Sequence, residues 1–208
     1  MTMIYKAITE VWQTVAKLND KFFRHGGDFS GWESNSSLGI SEKEGNKYQP
    51  SSDRIKKVLK ELDIKSADSI IDIGCGNGRA MYMMSKFPFR KIVGYDLSEN
   101  MVITANKNFD IVGKGDVCAA IIANAADFKE YTDYNYFYAF NPVPEQIFKK
   151  MMGNIEENIA EHPRKATFIY LNPVYKSYFD DSVKWECIMK KKALLDWNHV
   201  YVYRYVNR

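Results

Sequence analysis

Ile70-Ile71-Asp72-Ile73-Gly74-Cys75-Gly76-Asn77-Gly78-Arg79 decides how this chain folds. Three isoleucines among four residues with no breaker read as a buried parallel strand, and glycines at every second position thereafter end it in a turn. Glycine admits positive φ and lets a ligand come against bare N–H groups, so a glycine-rich turn opening into a helix makes a cradle for a charged ligand. The helical pattern begins at once, in Ala80-Met81-Tyr82-Met83-Met84. A tight turn with no ligand would use the same glycines, so the meaning of the cradle rests on what lies downstream.

Downstream, Pro88 breaks the chain and Lys91-Ile92-Val93-Gly94-Tyr95-Asp96 reads as a second strand ending in a carboxylate, with Ser98 and Glu99 suited to open a helix running to about Lys107. An acid about 20 positions past such a turn, at the carboxyl end of a strand, is placed to accept hydrogen bonds from both hydroxyls of a ribose. A third strand, Val117 to Ala123, closes on Asn124-Ala125-Ala126-Asp127. The fourth, Tyr134 to Phe140, stops at Asn141-Pro142-Val143-Pro144, where the proline is expected to hold Asn141 extended with its side chain and carbonyl in the crevice. Apolar residues at helical spacing from Glu145 to Ala160 and the run Thr167 to Leu171 add a helix and a fifth strand, and two further strands lie near Lys184 to Met189 and His199 to Val206.

Upstream, Ile4, Ile8, Val11, Trp12, Val15, Leu18 and Phe22 mark an amphipathic helix over residues 3 to 23. From Arg24 to Gln49 the period is lost among Gly, Ser, Asn and charge. A loop of that length in a compact domain suits a lid or a binding segment, or else a surface connector, which makes His25, Asp28, Trp32 and Tyr48 candidates for substrate contact. Ser51 or Ser52 is expected to cap the next helix, with Ile55, Val58, Leu59 and Leu62 on one face.

The spacing of the glycines separates two cofactor classes. A dinucleotide fingerprint requires G-x-G-x-x-G, whereas here the third glycine, Gly78, comes one residue early and Arg79 stands in its place. Asp72-x-Gly74-x-Gly76-x-Gly78 resembles instead the first motif of class I S-adenosylmethionine-dependent methyltransferases. The resemblance, which covers about residues 50 to 175, implies a doubly wound, Rossmann-like, seven-stranded and mostly parallel sheet with its last strand antiparallel, to which the N-terminal helix and lid loop read from the spacing are added. It implies S-adenosylmethionine as cofactor, held by Asp72, Gly74, Cys75, Gly76, Gly78, Asp96, Leu97, Asn124, Ala125 and Asn141. Asn124 stands where the class usually has an acid to receive the adenine amino group; its amide oxygen can still accept, and Asp127 is the fallback. Asn141-Pro142 resembles the Asn-Pro-Pro-aromatic motif of amino-group methyltransferases, but Val143 and Pro144 replace the second proline and the aromatic. The Phe-Asn-Pro form, with Gly26-Gly27-Asp28-Phe29-Ser30-Gly31, is similar to small bacterial methyltransferases encoded beside polysaccharide genes. The reaction expected is therefore methyl transfer to an O or N atom of a small molecule or saccharide. Alternatives are a protein amino-group methyltransferase and a binding protein without turnover. Candidate catalytic residues are Asn141, which would orient an amine, and His25, Asp28 or Tyr48, which would serve as base for a hydroxyl.

Composition sets the outer limits. At 208 residues with 46% hydrophobic side chains, the chain suits one domain, 1–49 as helix and lid and 50–208 as core, burying about 70% of its unfolded surface. A net charge of +3 and a pI near 8.6 are too mild to call for a nucleic-acid partner, and Lys190-Lys191-Lys192 reads as a solvated face. Cys75, Cys118 and Cys187 lie far apart, there is no signal-peptide pattern and no apolar run long enough to span a bilayer, so a cytoplasmic setting is expected. The three histidines show no i, i+4 pair that would suggest a metal site, and His199 reads as a half-buried strand residue.

Overall fold

A computed structural model describes residues 26–29, 38, 40–46, 51, 53–192 and 199–206. The expected N-terminal helix, His25, Trp32 and Tyr48 lie outside the described residues. In chain order the elements are α1 (Arg54–Leu59), β1 (Ser69–Ile73), α2 (Arg79–Met84), β2 (Lys91–Asp96), α3 (Glu99–Ile111), β3 (Cys118–Ile122), β4 (Tyr136–Phe140), α4 (Glu145–Glu161), β5 (Thr167–Leu171), α5 (Ser177–Asp180), β6 (Trp185–Lys191) and β7 (Val200–Tyr205). The strands form one seven-stranded sheet in the order β3-β2-β1-β4-β5-β7-β6. β1 pairs in parallel with β2 and β4, β2 with β3 and β4 with β5, while β7 is antiparallel to both β5 and β6. This is the expected mixed sheet, with its last strand reversed.

Alternation along the strands sorts the core into two layers, because successive side chains leave opposite faces of a sheet. Ile71, Ile73, Phe137, Ala139, Phe168 and Tyr170 face α4, whose Phe148, Met151, Met152, Ile155 and Ile159 recur at helical spacing and are all buried. Ile70, Ile92, Tyr138, Ile169 and Leu171 face the other way, against Ile55 and Val58 of α1, Met81 and Met84 of α2 and Phe109 of α3. Truncating a side chain such as Phe148 to Ala in so closed a layer would cost about 3–5 kcal/mol. Aromatic rings from helices and strands meet here: Phe148 of α4 stacks on Tyr170 of β5 at 5.3 Å and Phe179 of α5 on Tyr203 of β7 at 4.1 Å.

Two local expectations are corrected. Ser51 does not cap α1: its Oγ lies 2.7 Å from the Tyr138 hydroxyl, α1 starts after Asp53 without a side-chain cap, and Ser52 lies outside the described residues. A fully buried tyrosine hydroxyl needs a partner more than an exposed helix end does, since water satisfies only the latter. Asn141 is not extended either. Its φ is 42°, and Asn172 before Pro173 repeats the feature with φ 50°. A proline disfavours right-handed helical backbone in the residue before it, and asparagine is among the few side chains that tolerate the left-handed alternative.

Candidate active site

At the carboxyl end of β1 the chain turns away from the sheet. The N–H groups of Gly74 and Cys75 both donate to the Tyr95 carbonyl, at 2.9 and 3.0 Å, and Gly74, Gly76 and Gly78 all take positive φ. Two of these glycines are also fixed by space. A Cβ on Gly74 would lie 2.4 Å from Pro142 Cβ, and one on Gly78, the residue that starts α2, would lie 2.5 Å from the Phe109 ring. The turn therefore touches the loop after β4 on one side and α3 on the other. Asp96, at the end of β2, ties the arrangement together: its Oδ2 accepts from Gly76 N and its Oδ1 from Ser98 N, both at 2.9 Å.

The cradle brings two acids together, and one of them is poorly satisfied. Asp72 is buried, and its Oδ2 has no hydrogen-bond partner among the described residues. Burial, reinforced by the charge of Asp96, pushes the Asp72 carboxyl well above the usual carboxylate range. Burial raises Asp96 as well, opposed by the N–H groups of Ser98, Gly76 and Leu97. Beside Asp72 lies a cavity of 20 Å³, room for about one water, bordered by Ser51, Cys75, Arg79 and Tyr138. Burial also pushes the Cys75 thiol well above its ordinary value, so it is not an activated nucleophile. Two neighbouring carboxylates, one with an orphaned oxygen, suit a cationic ligand and repel a pyrophosphate. A sulfonium cofactor fits these residues and a dinucleotide does not.

A larger cavity of 80 Å³ opens on the other side of the turn. Its floor is Gly74, Tyr95, Asp96, Leu97, Met101 and Asn124-Ala125, and its wall is Phe140, Pro142 and Val143. Asn124 Oδ1 accepts from Ala126 N at 2.9 Å, which leaves that oxygen one lone pair for a further donor. The roof is Leu38, Ile40, Glu44, Gly45 and Asn46. Asn46 fastens the roof to the wall: its backbone N–H donates to Pro142 O at 2.9 Å, and its side-chain amide to Asn141 O at 2.9 Å and Val143 O at 3.1 Å. At 80 Å³ the cavity is well below the roughly 300 Å³ at which ligand clefts begin.

Most of the sequence candidates converge. Asp72, Gly74, Cys75, Gly76, Gly78, Asp96, Leu97, Asn124 and Ala125 all belong to the turn or the two cavities around it. Asn141 departs from expectation. It lines neither cavity, its carbonyl is occupied by Asn46, and its Oδ1 faces the Tyr170 hydroxyl at 3.5 Å. Asp28 is exposed and lines neither cavity; its backbone is pinned by Asn108 and Asn77, with the N–H donating to Asn108 Oδ1 and the carbonyl accepting from both amides. Sequence reasoning missed Asn46, one polar residue in a stretch without period, and Asn108, whose buried amide locks residue 28 to the glycine turn.

Residues 70–162 match the family model described as a methyltransferase domain. Over 95 residues the chain is 30% identical to phosphoethanolamine N-methyltransferase 1 of Arabidopsis thaliana, covering 44% of this chain and 19% of that protein. Over 54 residues it is 37% identical to demethylmenaquinone methyltransferase of Chlorobaculum tepidum, covering 26% and 22%. The aligned stretches thus span about a fifth of the length of these curated relatives. Among solved structures, an RNA methyltransferase from Salinibacter ruber in complex with S-adenosyl-L-homocysteine superposes with a TM-score of 0.52 at 13% identity, covering 76% of this chain and 92% of that one. Sheet order and glycine turn agree with the methyltransferase-domain match over residues 70–162, and the chain has the Rossmann-like fold of class I methyltransferase structures.

Proposed function

We propose that this chain is an S-adenosylmethionine-dependent methyltransferase whose acceptor is an O or N atom of a small molecule or saccharide, and that residues 1–208 act as one domain. The observation that carries the reading is the orphaned carboxylate oxygen of Asp72 beneath a glycine turn that Asp96 holds open. In this reading the backbone of Gly74 to Gly78 lies against the methionine part, with Cys75 contributing only backbone. Asp96 accepts from the ribose hydroxyls, Leu97 covers the purine, and Asn124 with Ala125 meets its edge. When bound, the cofactor supplies an activated methyl on a sulfonium. The chain's work is then to orient the acceptor and exclude water, and alignment alone can lower a barrier by about 7–11 kcal/mol. Asn141 and its neighbours form the acceptor side. For a hydroxyl acceptor the base would come from His25, Tyr48 or Asp28 of the N-terminal segment. One relative is named for phosphoethanolamine and the other for demethylmenaquinone, so kinship alone does not choose the acceptor. The free cysteines among the described residues, Cys75, Cys118 and Cys187, suit a reducing, cytoplasmic setting, and among those residues no helix is long and apolar enough to cross a membrane.

Two measurements test this. Calorimetric titration with S-adenosylhomocysteine should show one site per chain, and NADH should show none. Radiolabelled S-adenosylmethionine added to cell extract with the protein should then label an acceptor. Binding without any labelled product would mean a cofactor-binding protein without turnover, and absence of binding would end the proposal.

A further inference from the structure

The sheet ends at β3, and one side chain from α3 sits on that edge. Ile92 N donates to Val117 O and Ala123 N to Asp96 O, so the odd-numbered residues of this stretch bond to β2, while Cys118, Ala120 and Ile122 turn their N–H and C=O groups to the open side. An edge of that kind is a template for a further strand unless charge, proline or a bulge spoils it. The run Val117-Cys118-Ala119-Ala120-Ile121-Ile122-Ala123 has no charge and no proline, and Ile121 and Ile122 are 40% and 55% exposed. Ile103, one turn before Asn106 on α3, is 58% exposed, so the helix leaves this strip accessible among the described residues. Asn106 supplies what the strand lacks. Its Nδ2 donates to Ala120 O and its Oδ1 accepts from Ala120 N, both at 2.9 Å, so one primary amide makes both bonds that a neighbouring strand would make there.

We propose that Asn106 is a plug for the open edge of the sheet, and that the strand it keeps out is β3 of a second copy of this chain. The groups left open choose the register. Two copies of β3 run antiparallel about a twofold axis at Ala120 exchange both bonds between the two Ala120 residues and pass each Ile122 N–H to the Cys118 carbonyl opposite. The Cys118 N–H is not called on, since Lys114 O already holds it at 2.9 Å. Ile121 then lies opposite Ala119 and Ile122 opposite Cys118, which puts uncharged pairs on both faces of the joined sheet. Nothing in the strand itself opposes this pairing, so the plug has to. A carboxamide is the side chain that suits the task, because a carboxylate lacks the donor, an ammonium lacks the acceptor and an apolar group lacks both. Asn106 borders neither cavity of the candidate site, so the proposal stands apart from methyl transfer.

The test is the mass of the full chain in solution, followed by analytical ultracentrifugation as protein concentration is raised about twentyfold. The wild-type mass should stay constant. Asn106→Ala opens the edge, and its weight-average mass should rise about twofold across the range as the paired form fills. Adding Ile122→Lys to that variant sets a charge in the exposed strand and should return the mass to the wild-type value. Asn106→Asp still accepts from Ala120 N, loses the donor and brings a charge, so it should hold the wild-type mass although it has lost a hydrogen bond. A constant mass in Asn106→Ala would overturn the proposal, as would wild-type protein that associates to the same degree. Association that survives Ile122→Lys, or that is equally strong in Asn106→Asp, would trace to loss of the fold and not to an opened edge, and would overturn it too.

Discussion

Replacing Asp96 by Ala tests whether one carboxylate both builds the site and reads the cofactor. Each of its oxygens receives a backbone N–H at 2.9 Å, from Gly76 and from Ser98, and both donors belong to buried residues. Hydrogen bonds to a charged acceptor contribute about 1.5–3 kcal/mol each. Asp96 is only half-buried, so water takes up part of the loss, and its removal also relieves the repulsion it exerts on Asp72. Both effects lower the roughly 3–6 kcal/mol that two such bonds would give, and urea unfolding should show a loss of about 2–4 kcal/mol. Asp96→Asn keeps one acceptor but points an amide N–H at the other donor, so it should lose roughly half as much. In both variants S-adenosylhomocysteine should bind about 10–100-fold more weakly, the cost of two ribose hydroxyls without a charged acceptor. Unchanged urea midpoints would show that the carboxylate does not anchor the turn. Wild-type affinity in a destabilised Asp96→Asn would leave it as an anchor only.

Gly74→Ala forces a Cβ to 2.4 Å from Pro142 at a φ of 72°, and should cost about 2–4 kcal/mol in unfolding free energy; a loss below 0.5 kcal/mol would mean that turn and β4 loop are not in contact. Asp72 and Asp96 are both raised in the fold, so the native chain keeps protons that the unfolded chain releases above about pH 4. Their contribution is fully present below that pH and is lost as pH rises through the folded values; chemical denaturation should show that slope, with cationic cofactor binding more tightly over the same rise, and an equal slope in Asp72→Asn would contradict the assignment. Glu156 is buried and accepts from Trp185 Nε1 at 2.8 Å, Lys184 Nζ at 2.8 Å and the Tyr178 hydroxyl at 3.1 Å. Glu156→Gln should lose about 1–3 kcal/mol because one amide N–H must face a donor, while leaving S-adenosylhomocysteine affinity unchanged; a loss of affinity would tie α4 to the site.

The parts of this molecule that repeat were legible and the parts that meet once were not. Phe148, Met151, Met152, Ile155 and Ile159 announce α4 because one helix face must be apolar along its whole length, and the strands announce themselves by the same logic with period two. The glycine turn was legible because its backbone demands residues of one kind. Asn141 was misread because Pro142 excludes one conformation without choosing between the two that remain, and the choice is made by the β4 loop packing on Gly74 and Asn46. The role of Ser51 depends on Tyr138, 87 residues away, and that of Asn46 on carbonyls 95 and 97 residues away. Contacts of that kind leave no local pattern to read.

The roof over the 80 Å³ cavity sets a threshold for any ligand that must displace Asn46 to enter. Opening it breaks the three hydrogen bonds of Asn46 to Asn141, Pro142 and Val143. At about 0.5–1.5 kcal/mol net for each bond, the closed form is favoured by roughly 1.5–4.5 kcal/mol, a factor of about 10 to 2,000. A ligand shifts that balance only by binding the open form more tightly than the closed one. In the reading proposed here two different ligands share the task. The cofactor's positive charge is drawn to the paired acids Asp72 and Asp96, and the acceptor gains contact with the β4 loop that Asn46 otherwise covers. Neither gain is available to the other ligand, so each lowers the cost of opening for its partner.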